Sequence, residues 1–327
     1  MQQDIRFATF NVCNLALPGV QFYDNLPPFT QEEYEAKTTW IAQQLDALNA
    51  DVIGFQEIFS QAALKDVLAK TKHYQQAHHL GIEPDPLRKL TPSVALVSRL
   101  PLSAPVSMTS DLPRNISVAI PDVQEPFSTF TRPVLHAQVL AANGLVVHVF
   151  VAHLKSKRPD FRQGETEADP YQLGMASLRS LMRRGAEALG LRYLVVDLMK
   201  KQSGPVVVMG DFNDVAASVT TQLVMGVGGH TQIDLQDRLF DSYNFLPCRR
   251  AARDVAFTHL NDGTFDTVDH ILVSEELNPA SGRAVGEVVE VIYLNDHVTL
   301  PRPEASDHGV VMVRIQLYDR AAQSSNP

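Results

Sequence analysis

The amino-acid sequence predicts a single continuous α/β domain. Short apolar runs rich in Val, Ile, Phe and Leu recur along the whole chain, and amphipathic segments with a helical period lie between them. No internal repeat, low-complexity block or Gly/Ser linker divides the 327 residues. Because the last strand-like run ends near residue 315, we expect one domain over residues 1–318 and a flexible tail over residues 319–327.

Nine apolar runs have the length and the β-branched content of buried strands. In chain order they cover residues 5–10, 51–55, 94–97, 134–139, 145–152, 205–209, 268–273, 288–293 and 309–315. The proline-rich stretch over residues 101–133 is predicted to be a loop.

Three segments between these runs are predicted to be helices. Thr30 and Glu33 form a capping-box pattern ahead of apolar residues spaced i, i+4, i+7 within 41–48. Ser60 is a candidate N-cap for a second helix, and a longer helix is predicted over residues 171–200. The alternation of strands and helices is typical of an α/β domain.

The composition excludes several classes of protein. The 28 Lys and Arg against 37 Asp and Glu give a net charge of -9, so a polyanionic partner must be held locally rather than on a broad basic face. Cys13 and Cys248 are the two cysteines, which excludes a disulfide framework and a cysteine-rich zinc site. No apolar run approaches the ~20 residues of a membrane span, so no stable membrane insertion is expected.

The N-terminus has no signal-peptide pattern, which predicts a cytoplasmic protein, or a secreted one if a leader was removed.

Polar side chains gather where the predicted strands end or begin. Four runs end in them and two begin with them, at Asn11, Gln56–Glu57, His153, Asp211–Asn213, Asp269–His270 and Ser306–His308. If the last two strands run antiparallel to the first four, all six clusters meet at one edge of the core. Each cluster alone has an ordinary explanation, such as a turn, a helix cap or a hydrogen-bonded surface histidine, but six at one edge favour a functional site.

The chemistry of these clusters is rich in oxygen and free of thiols. Mg²⁺ and Mn²⁺ prefer such ligands, and a divalent ion held by carboxylates is a common means of hydrolysing phosphate esters. Histidine next to a carboxylate suits proton transfer or phosphate binding. Asp211 and Asn213 are two residues apart in an extended segment and therefore point the same way.

With these clusters in this order, the sequence resembles the endonuclease/exonuclease/phosphatase superfamily, which has the fold of pancreatic deoxyribonuclease. The similarity covers almost the whole chain and is carried by the segments FATFNV (7–12), QE (56–57), VALVSR (94–99), HLKS (153–156), GDFN (210–213), DHIL (269–272) and SDH (306–308). It implies a four-layered α/β sandwich with two mostly antiparallel central sheets flanked by helices.

The resemblance also implies a metal site. Glu57 corresponds to the principal metal ligand, and Asn11 and Asp307 would complete or support the site. The expected cofactor is Mg²⁺, or Mn²⁺ in its place.

Five further residues receive catalytic roles from the same resemblance. His308 would contact the scissile phosphate or act as acid/base, with Asp269 as its orienting carboxylate. Asp211 would align or deprotonate the attacking water, Asn213 would bind phosphate, and His153 would assist on the leaving-group side. In-line attack by water would cleave a P–O ester bond without a covalent enzyme intermediate.

Local features indicate a branch of the superfamily. Abasic-site repair members usually carry tyrosine where this chain has His153, and inositol-phosphate phosphatases usually carry a tryptophan before the penultimate strand, whereas the single tryptophan here is Trp40. Sphingomyelinase-like members normally carry a secretion signal and exposed aromatic membrane contacts, which this sequence does not indicate. The segment HLKSK at 153–157 is similar to bacterial nuclease members.

A basic segment follows His153. Residues 153–162 contain two Lys and two Arg against one Asp, a local excess of 4 - 1 = +3. We expect Lys155 and Lys157, with Arg132, to bind the substrate backbone. Arg249, Arg250 and Arg253 form a second basic group, which we interpret as surface charge.

The first hypothesis is therefore a Mg²⁺- or Mn²⁺-dependent phosphodiesterase that acts on DNA as an endo- or exonuclease, and as a monomer. The second is a phosphatase or a phospholipase C-type phosphodiesterase that acts on a small or lipid phosphoester. The third is a catalytically inactive binding module that keeps the fold.

Overall fold

The computed structural model describes residues 3–83, 90–201, 204–226, 237–245, 256–300 and 302–318. The predicted tail at 319–327 and the group Arg249, Arg250 and Arg253 lie outside these residues. None of the described helices combines the length and the apolar character that crossing a bilayer requires.

Fourteen strands are described. In chain order they are β1 (Gln3–Leu15), β2 (Val52–Ile58), β3 (His78–Gly81), β4 (Ser93–Ser98), β5 (Ser107–Asp111), β6 (Thr129–Leu140), β7 (Val146–His153), β8 (Val206–Asp211), β9 (Leu239–Asp241), β10 (His259–Asn261), β11 (Thr264–Asp266), β12 (Asp269–Ser274), β13 (Gly286–Leu294) and β14 (Val310–Leu317).

The described α-helices are α1 (Gln31–Leu48), α2 (Gln61–Lys70), α3 (Pro170–Lys201), α4 (Val219–Met225) and α5 (Asp296–Thr299). The capping box of α1 is confirmed, because Thr30 Oγ1 accepts from the Glu33 N–H at 3.2 Å and Glu33 Oε2 accepts from the Thr30 N–H at 2.9 Å. Ser60 caps α2 as expected. A side-chain cap of this kind contributes about 1 kcal/mol to the stability of a helix.

Two six-stranded sheets form the centre of the molecule. The first has the order β13-β14-β1-β2-β4-β3, and the second has the order β5-β6-β7-β8-β12-β9. Each sheet contains one parallel pair, β1 with β2 and β7 with β8, and every other neighbouring pair is antiparallel. The expectation of two mostly antiparallel sheets is therefore confirmed.

Three large clusters of buried apolar side chains lie between the layers of the fold. Side chains such as Phe7 and Val52 of the first sheet pack on Val149 and Val207 of the second. A second cluster joins the outer face of the first sheet to α1 and α2, and a third joins the outer face of the second sheet to α3 and α4. Helices therefore cover both outer faces, and the four-layered sandwich is confirmed.

Strands at the edges of the fold were not predicted from sequence. The prediction of a loop over residues 101–133 is wrong, because this stretch contains β5 and the start of β6. The sequence SMTSD of β5 has little apolar content, since among the described strands β5 is at the edge of its sheet and pairs with β6. Edge strands bury less of their surface and therefore lack the apolar signal on which the prediction depended.

Candidate active site

The sheet topology brings the six polar clusters to one edge of the sandwich. β1 and β2 run parallel and β14 runs antiparallel to β1, so Asn11, Glu57 and the residues before β14 lie at the same end of the first sheet. In the second sheet β7 and β8 run parallel, and β12 runs antiparallel to β8, with Asp269 directly opposite Asp211. The antiparallel arrangement that the convergence required is present in both sheets.

Irregular backbone turns several of these side chains toward the edge. The pairing of β1 with β2 shifts between Asn11 and Leu15, and the pairing of β2 with β4 shifts at the end of β2. Glu57 and Asn213 have φ angles of 64° and 54°. Left-handed backbone is costly for residues other than glycine, and such strain is concentrated at functional sites.

Gly210 is required by the close approach of β7 to β8. Its φ is 150°, and a Cβ at this position would lie 1.9 Å from the carbonyl oxygen of Ala152. The parallel register pairs Gly210 with Ala152 and then Asp211 with His153. The absence of a side chain at residue 210 therefore fixes how closely His153 and Asp211 approach each other.

A cavity of about 580 Å³ lies at this edge. Its walls come from both sheets and from the loops between them. The lining residues include Tyr23, Glu57, Arg132, His153, Lys157, Arg158, Asp211, Asn213, His259, Asp266, Asp307 and His308.

A buried group of two carboxylates and two imidazoles lies at this cavity: His153, Asp211 and His308 line it, and Asp269 is fully buried against His308. His308 Nδ1 lies 2.8 Å from Asp269 Oδ2, and His308 Nε2 lies 3.9 Å from Asp211 Oδ2. Asp211 Oδ2 is also 3.4 Å from His153 Nε2. Asp269 receives backbone support from Thr258, whose hydroxyl accepts from the Asp269 N–H at 3.1 Å. These contacts orient His308 through Asp269.

The electrostatics give the members of this group different protonation states. Burial alone lowers the pKa of His308, but the charges of Asp269 and Asp211 outweigh it and raise that pKa well above the usual value. Burial lowers the pKa of His153 far below its usual value, and Arg132 adds to this effect. Burial and the charge of Asp269 raise the pKa of Asp211 to about 7. A cationic imidazole, a neutral imidazole and a carboxyl group with a pKa of about 7 therefore lie side by side. This combination suits acid/base chemistry.

Two of the three residues predicted as metal ligands, Asn11 and Glu57, lie in contact beside this group, and the third, Asp307, lines the same cavity as Glu57. Glu57 Oε2 accepts from the Asn14 N–H at 3.0 Å, and Asn11 Nδ2 donates to Asp211 Oδ2 at 3.0 Å and reaches Glu57 Oε1 at 3.5 Å. Asn11 Oδ1 accepts from the Cys13 N–H at 3.1 Å. Glu57 and Asp307 line the cavity, whereas Asn11 is fully buried and connects Glu57 to Asp211.

Among the described residues, two carboxylate and histidine groups have the geometry to hold an ion. They are His259 with Asp307 and His308, and Asp211 with Asp269 and His308. The carboxylate of Asp269 has one buried oxygen, Oδ1, that receives no hydrogen bond within the described part of the chain.

Asn213 is held beside Asp211 by the backbone. The Asn213 N–H donates to Asp211 Oδ1 at 2.7 Å, and its side-chain amide donates to the Leu154 carbonyl at 2.9 Å. Asn213 therefore ties the end of β8 to the end of β7 and also lines the cavity.

The predicted substrate-binding cations have different surroundings. Arg132 and Lys157 line the cavity, with Arg132 Nη1 donating to the Leu154 carbonyl at 3.3 Å and Lys157 Nζ 3.2 Å from Asp214 Oδ1. Lys155 is not among the lining residues, because its Nζ donates to the carbonyls of Ser156 and Arg158. The structure therefore brings Arg132 and Lys157 to the cavity and turns Lys155 away from it.

His259 is a cavity residue that was not predicted from sequence, and its ring centroid is 4.9 Å from that of His308. His259 belongs to the hairpin of β10 and β11, which Asp262 and Gly263 close with φ angles of 47° and 77°. Asp-Gly between two short strands is a strong signal for such a two-residue turn. That signal was present in the sequence and would have placed a hairpin directly before Asp269.

The model of the Endonuclease/Exonuclease/phosphatase family matches residues 8–308. The chain belongs to this family. The match extends from β1 to His308 and so includes all six polar clusters. Members of the endonuclease/exonuclease/phosphatase family hydrolyse phosphoester bonds, and the chain is a hydrolase of this kind. A comparison with curated proteins finds no match.

Solved structures of low sequence identity share the fold. A family protein from Bacteroides thetaiotaomicron has 17% identity and a TM-score of 0.60, over 97% of this chain and 96% of that one. The mannosyl-6-phosphatase from Bacteroides thetaiotaomicron VPI-5482 has 17% identity and a TM-score of 0.56, over 95% of this chain and 99% of that one. Humanized TDP2 from D. rerio has 13% identity and a TM-score of 0.54, over 95% and 98%.

Proposed function

We propose that the protein is a divalent-metal-dependent phosphoester hydrolase that uses in-line attack by water. The observation that carries the proposal is the contact of 2.8 Å between the buried Asp269 and His308, which lines a cavity together with Asp211, Glu57 and Asp307. An oriented imidazole next to a carboxylate of raised pKa supplies an acid and a base within one cavity.

The residues present fit a hard divalent cation. Glu57 and Asp307 offer carboxylate oxygens at the cavity wall, and His308 and a hydrogen bond from Cys13 lower the pKa of Asp307 even though burial opposes this. Glu57 and Asp307, supported by Asn11, would hold Mg²⁺ or Mn²⁺. When bound, such an ion offsets negative charge that develops on the phosphate oxygens.

The protein side chains would perform the remaining steps. His308, held by Asp269 and cationic, would bind the phosphate and stabilise its charge. Asp211 would orient water and accept its proton, since a pKa of about 7 lets this carboxylate take up a proton near neutral pH. Asn213 would help to bind the phosphate, and His153, which is neutral, would contact the leaving-group oxygen.

The surroundings of the basic segment favour a compact phosphoester over a long nucleic acid. Lys155 Nζ is bound to carbonyl oxygens, Arg162 pairs with Asp160 at 3.2 Å, and Lys157 is shared with Asp214. Among the described residues, the cavity therefore has a small set of cations suited to one phosphate, and these residues do not form a continuous basic track for a backbone. A mannosyl-6-phosphatase among proteins of this fold is consistent with this substrate class. DNA cleavage, our first hypothesis from sequence, is the alternative function that the experiment below also measures.

The test is hydrolysis of p-nitrophenyl phosphate, bis(p-nitrophenyl) phosphate and supercoiled plasmid, each with Mg²⁺, Mn²⁺ or EDTA. We expect metal-dependent release of p-nitrophenol, and a loss of about 100-fold or more in Glu57→Gln at limiting metal. Glu32→Gln is the matched control, because Glu32 is exposed in the first turn of α1.

Plasmid nicking faster than hydrolysis of both small esters would support the nuclease instead. A protein that binds these compounds but hydrolyses none of them with either metal would contradict the proposal and favour the inactive binding module.

A further inference from the structure

Glu187 is a buried carboxylate of α3 that the proposed chemistry does not use. Its side chain accepts the Thr131 N–H at Oε1 over 2.7 Å and the Lys155 N–H at Oε2 over 2.6 Å. The residue is 1% exposed, and burial raises the pKa of its carboxyl group although the hydrogen bonds from Thr131 and the charge of Arg132 oppose this. A buried carboxylate is costly unless it is well bound. The two N–H groups therefore identify the segments that Glu187 holds.

These N–H groups belong to the ends of two neighbouring strands. The described pairing of β6 with β7 extends as far as Leu135 and Val151. Pro133 of β6 has no N–H with which to continue it. The same register, extended by four residues, would place the two partners of Glu187 opposite each other. Glu187 therefore bridges β6 and the segment after β7 beyond the point where their own pairing ends.

The peptide unit between Leu154 and Lys155 connects this contact to the cavity. Its N–H donates to Glu187, and its carbonyl accepts from Arg132 Nη1 at 3.3 Å and from Asn213 Nδ2 at 2.9 Å. The N–H and C=O groups of a trans peptide unit lie in one plane and point in opposite directions. The carboxylate on one side therefore fixes the direction of the carbonyl on the other side.

Both side chains that this carbonyl holds line the cavity. Arg132 also has a buried Nε with no hydrogen-bond partner within the described part of the chain. Buried donors without a partner are uncommon, and the oxygens of a bound phosphate are strong acceptors for a guanidinium group. Thr131 directly precedes Arg132, so the other oxygen of Glu187 holds the backbone beside the same arginine.

The same helix holds the loop that follows. Arg184 Nη1 donates to the Lys155 carbonyl at 3.3 Å, and Ser180 Oγ donates to the Arg158 carbonyl at 2.5 Å. This loop contributes Lys157 and Arg158 to the cavity wall. Polar side chains of α3 therefore determine the path of the backbone on this side of the cavity.

We infer that Glu187 is a positioning residue for phosphate binding, which acts through the peptide unit between Leu154 and Lys155 on Arg132 and Asn213. The inference rests on the proposed function, because it concerns the phosphate of the same substrate. Glu187 is not among the described residues that line the cavity, so it would act without contacting the substrate.

The direct test is the affinity for inorganic phosphate with Mg²⁺ present, measured by isothermal titration calorimetry. Glu187→Met has a similar volume and leaves both N–H groups without an acceptor, so the dissociation constant should rise about tenfold. Glu187→Gln keeps one acceptor oxygen and should raise it about threefold, and this variant carries the test if Glu187→Met does not fold. Unchanged affinity in the folded variants, or a wild type that does not bind phosphate, would overturn the inference.

Glu275 provides the matched control. It is a buried carboxylate that directly follows β12, at the opposite end of that strand from Asp269. Ser281 Oγ donates to Glu275 Oε2 at 3.2 Å, and Arg283 Nη1 lies 2.7 Å from Glu275 Oε1. Glu275→Met and Glu275→Gln should lower the Tm and leave phosphate affinity unchanged. A loss of affinity equal to that in the Glu187 variants would indicate general destabilisation and overturn the inference.

A double-mutant cycle with Arg132→Gln separates positioning from a purely structural role. If Glu187 acts partly through Arg132, the two substitutions are not additive. Glu187→Met should then weaken phosphate binding about threefold in the Arg132→Gln background, compared with about tenfold in the wild type. An equal loss in both backgrounds would contradict a role through Arg132.

Kinetics distinguish this inference from the proposed function. The KM for p-nitrophenyl phosphate should rise in parallel with the dissociation constant of phosphate, and kcat should change less than about threefold, because the contact of His308 with Asp269 lies outside this network. A fall in kcat with unchanged KM and unchanged phosphate affinity would overturn the inference and leave the proposed function intact. Phosphate binding that depends on Glu187, without hydrolysis by the wild type, would support the inference and contradict the proposed function.

Discussion

Replacing Gly210 by alanine should damage both stability and activity. The added Cβ would lie 1.9 Å from the carbonyl oxygen of Ala152, and the backbone oxygen cannot rotate away as a flexible side chain could. Relief requires β7 and β8 to separate by more than 1 Å where they carry His153 and Asp211. A displacement of about 1 Å in a catalytic group can cost about 100-fold in rate.

The expected loss of stability combines two effects. A positive φ costs an alanine about 1 kcal/mol or more, and overpacking between two buried strands adds roughly 1–3 kcal/mol. The sum is about 3 kcal/mol. With an unfolding entropy of about 2.1 cal/mol/K per residue, each kcal/mol lowers the Tm of a chain of this length by about 1.5 °C. We therefore expect Gly210→Ala to lower the Tm by about 4–5 °C.

The assay is thermal unfolding followed by circular dichroism, together with the hydrolysis rate below the transition. Gly144→Ala is the matched control, because Gly144 has a φ of 78° and no atom within 4 Å of an added Cβ. This control separates the cost of φ from the cost of the clash, and its Tm should fall by about 1.5 °C. Equal Tm values for the two variants, with full activity in Gly210→Ala, would refute the reasoning.

Two further predictions concern stability. Burial and the neighbouring His148 lower the pKa of His136 to about 4, so the folded chain keeps this imidazole neutral. Stability is therefore not reduced by this group above about pH 6.5, and it falls as the pH drops toward 4 because the unfolded chain binds the proton more readily. The free energy of unfolding of His136→Gln, measured in urea, should depend less on pH over this range than that of the wild type. Identical pH dependence in the variant and the wild type would contradict a lowered pKa of His136. Arg179 has no exposed surface and donates to Glu165 Oε2 at 2.7 Å and Asp122 Oδ2 at 2.6 Å, so Arg179→Met should cost about 3 kcal/mol in urea unfolding. A loss below about 1 kcal/mol would show that these ion pairs contribute little.

The central strands and the principal helices could be predicted from sequence because their signals are local. β1, β2, β7 and β8 are continuous apolar runs buried on both faces, and the caps of α1 and α2 lie in the sequence as Thr30 with Glu33 and as Ser60. β3, β5, β10 and β11 carry no such signal, since they are short strands with exposed residues. The boundary between residues 318 and 319 stays a prediction.

The candidate site could be predicted as a set of strand ends, but its detailed contacts could not. Residue order indicates that Asp211 and Asp269 lie at one edge, whereas the direction of the Lys155 ammonium depends on nearby carbonyl groups that the sequence does not place. His259 was missed because a three-residue strand has too few positions to show a period, and the Asp262–Gly263 turn signal beside it was not used. Its contact with His308 becomes visible only once the hairpin is folded.

The measurement that tests the central claim most directly is the rate of metal-dependent phosphoester hydrolysis in His308→Gln. Glutamine cannot carry the positive charge that Asp269 stabilises on His308, so we expect a loss of about 1000-fold in kcat, measured below the thermal transition, and a lower Tm because the buried Asp269 loses its charged partner. The control His73→Gln, at an exposed residue outside the cavity, should keep the wild-type rate. A wild-type protein whose hydrolysis persists in EDTA, or a His308→Gln variant of wild-type rate, would contradict the account.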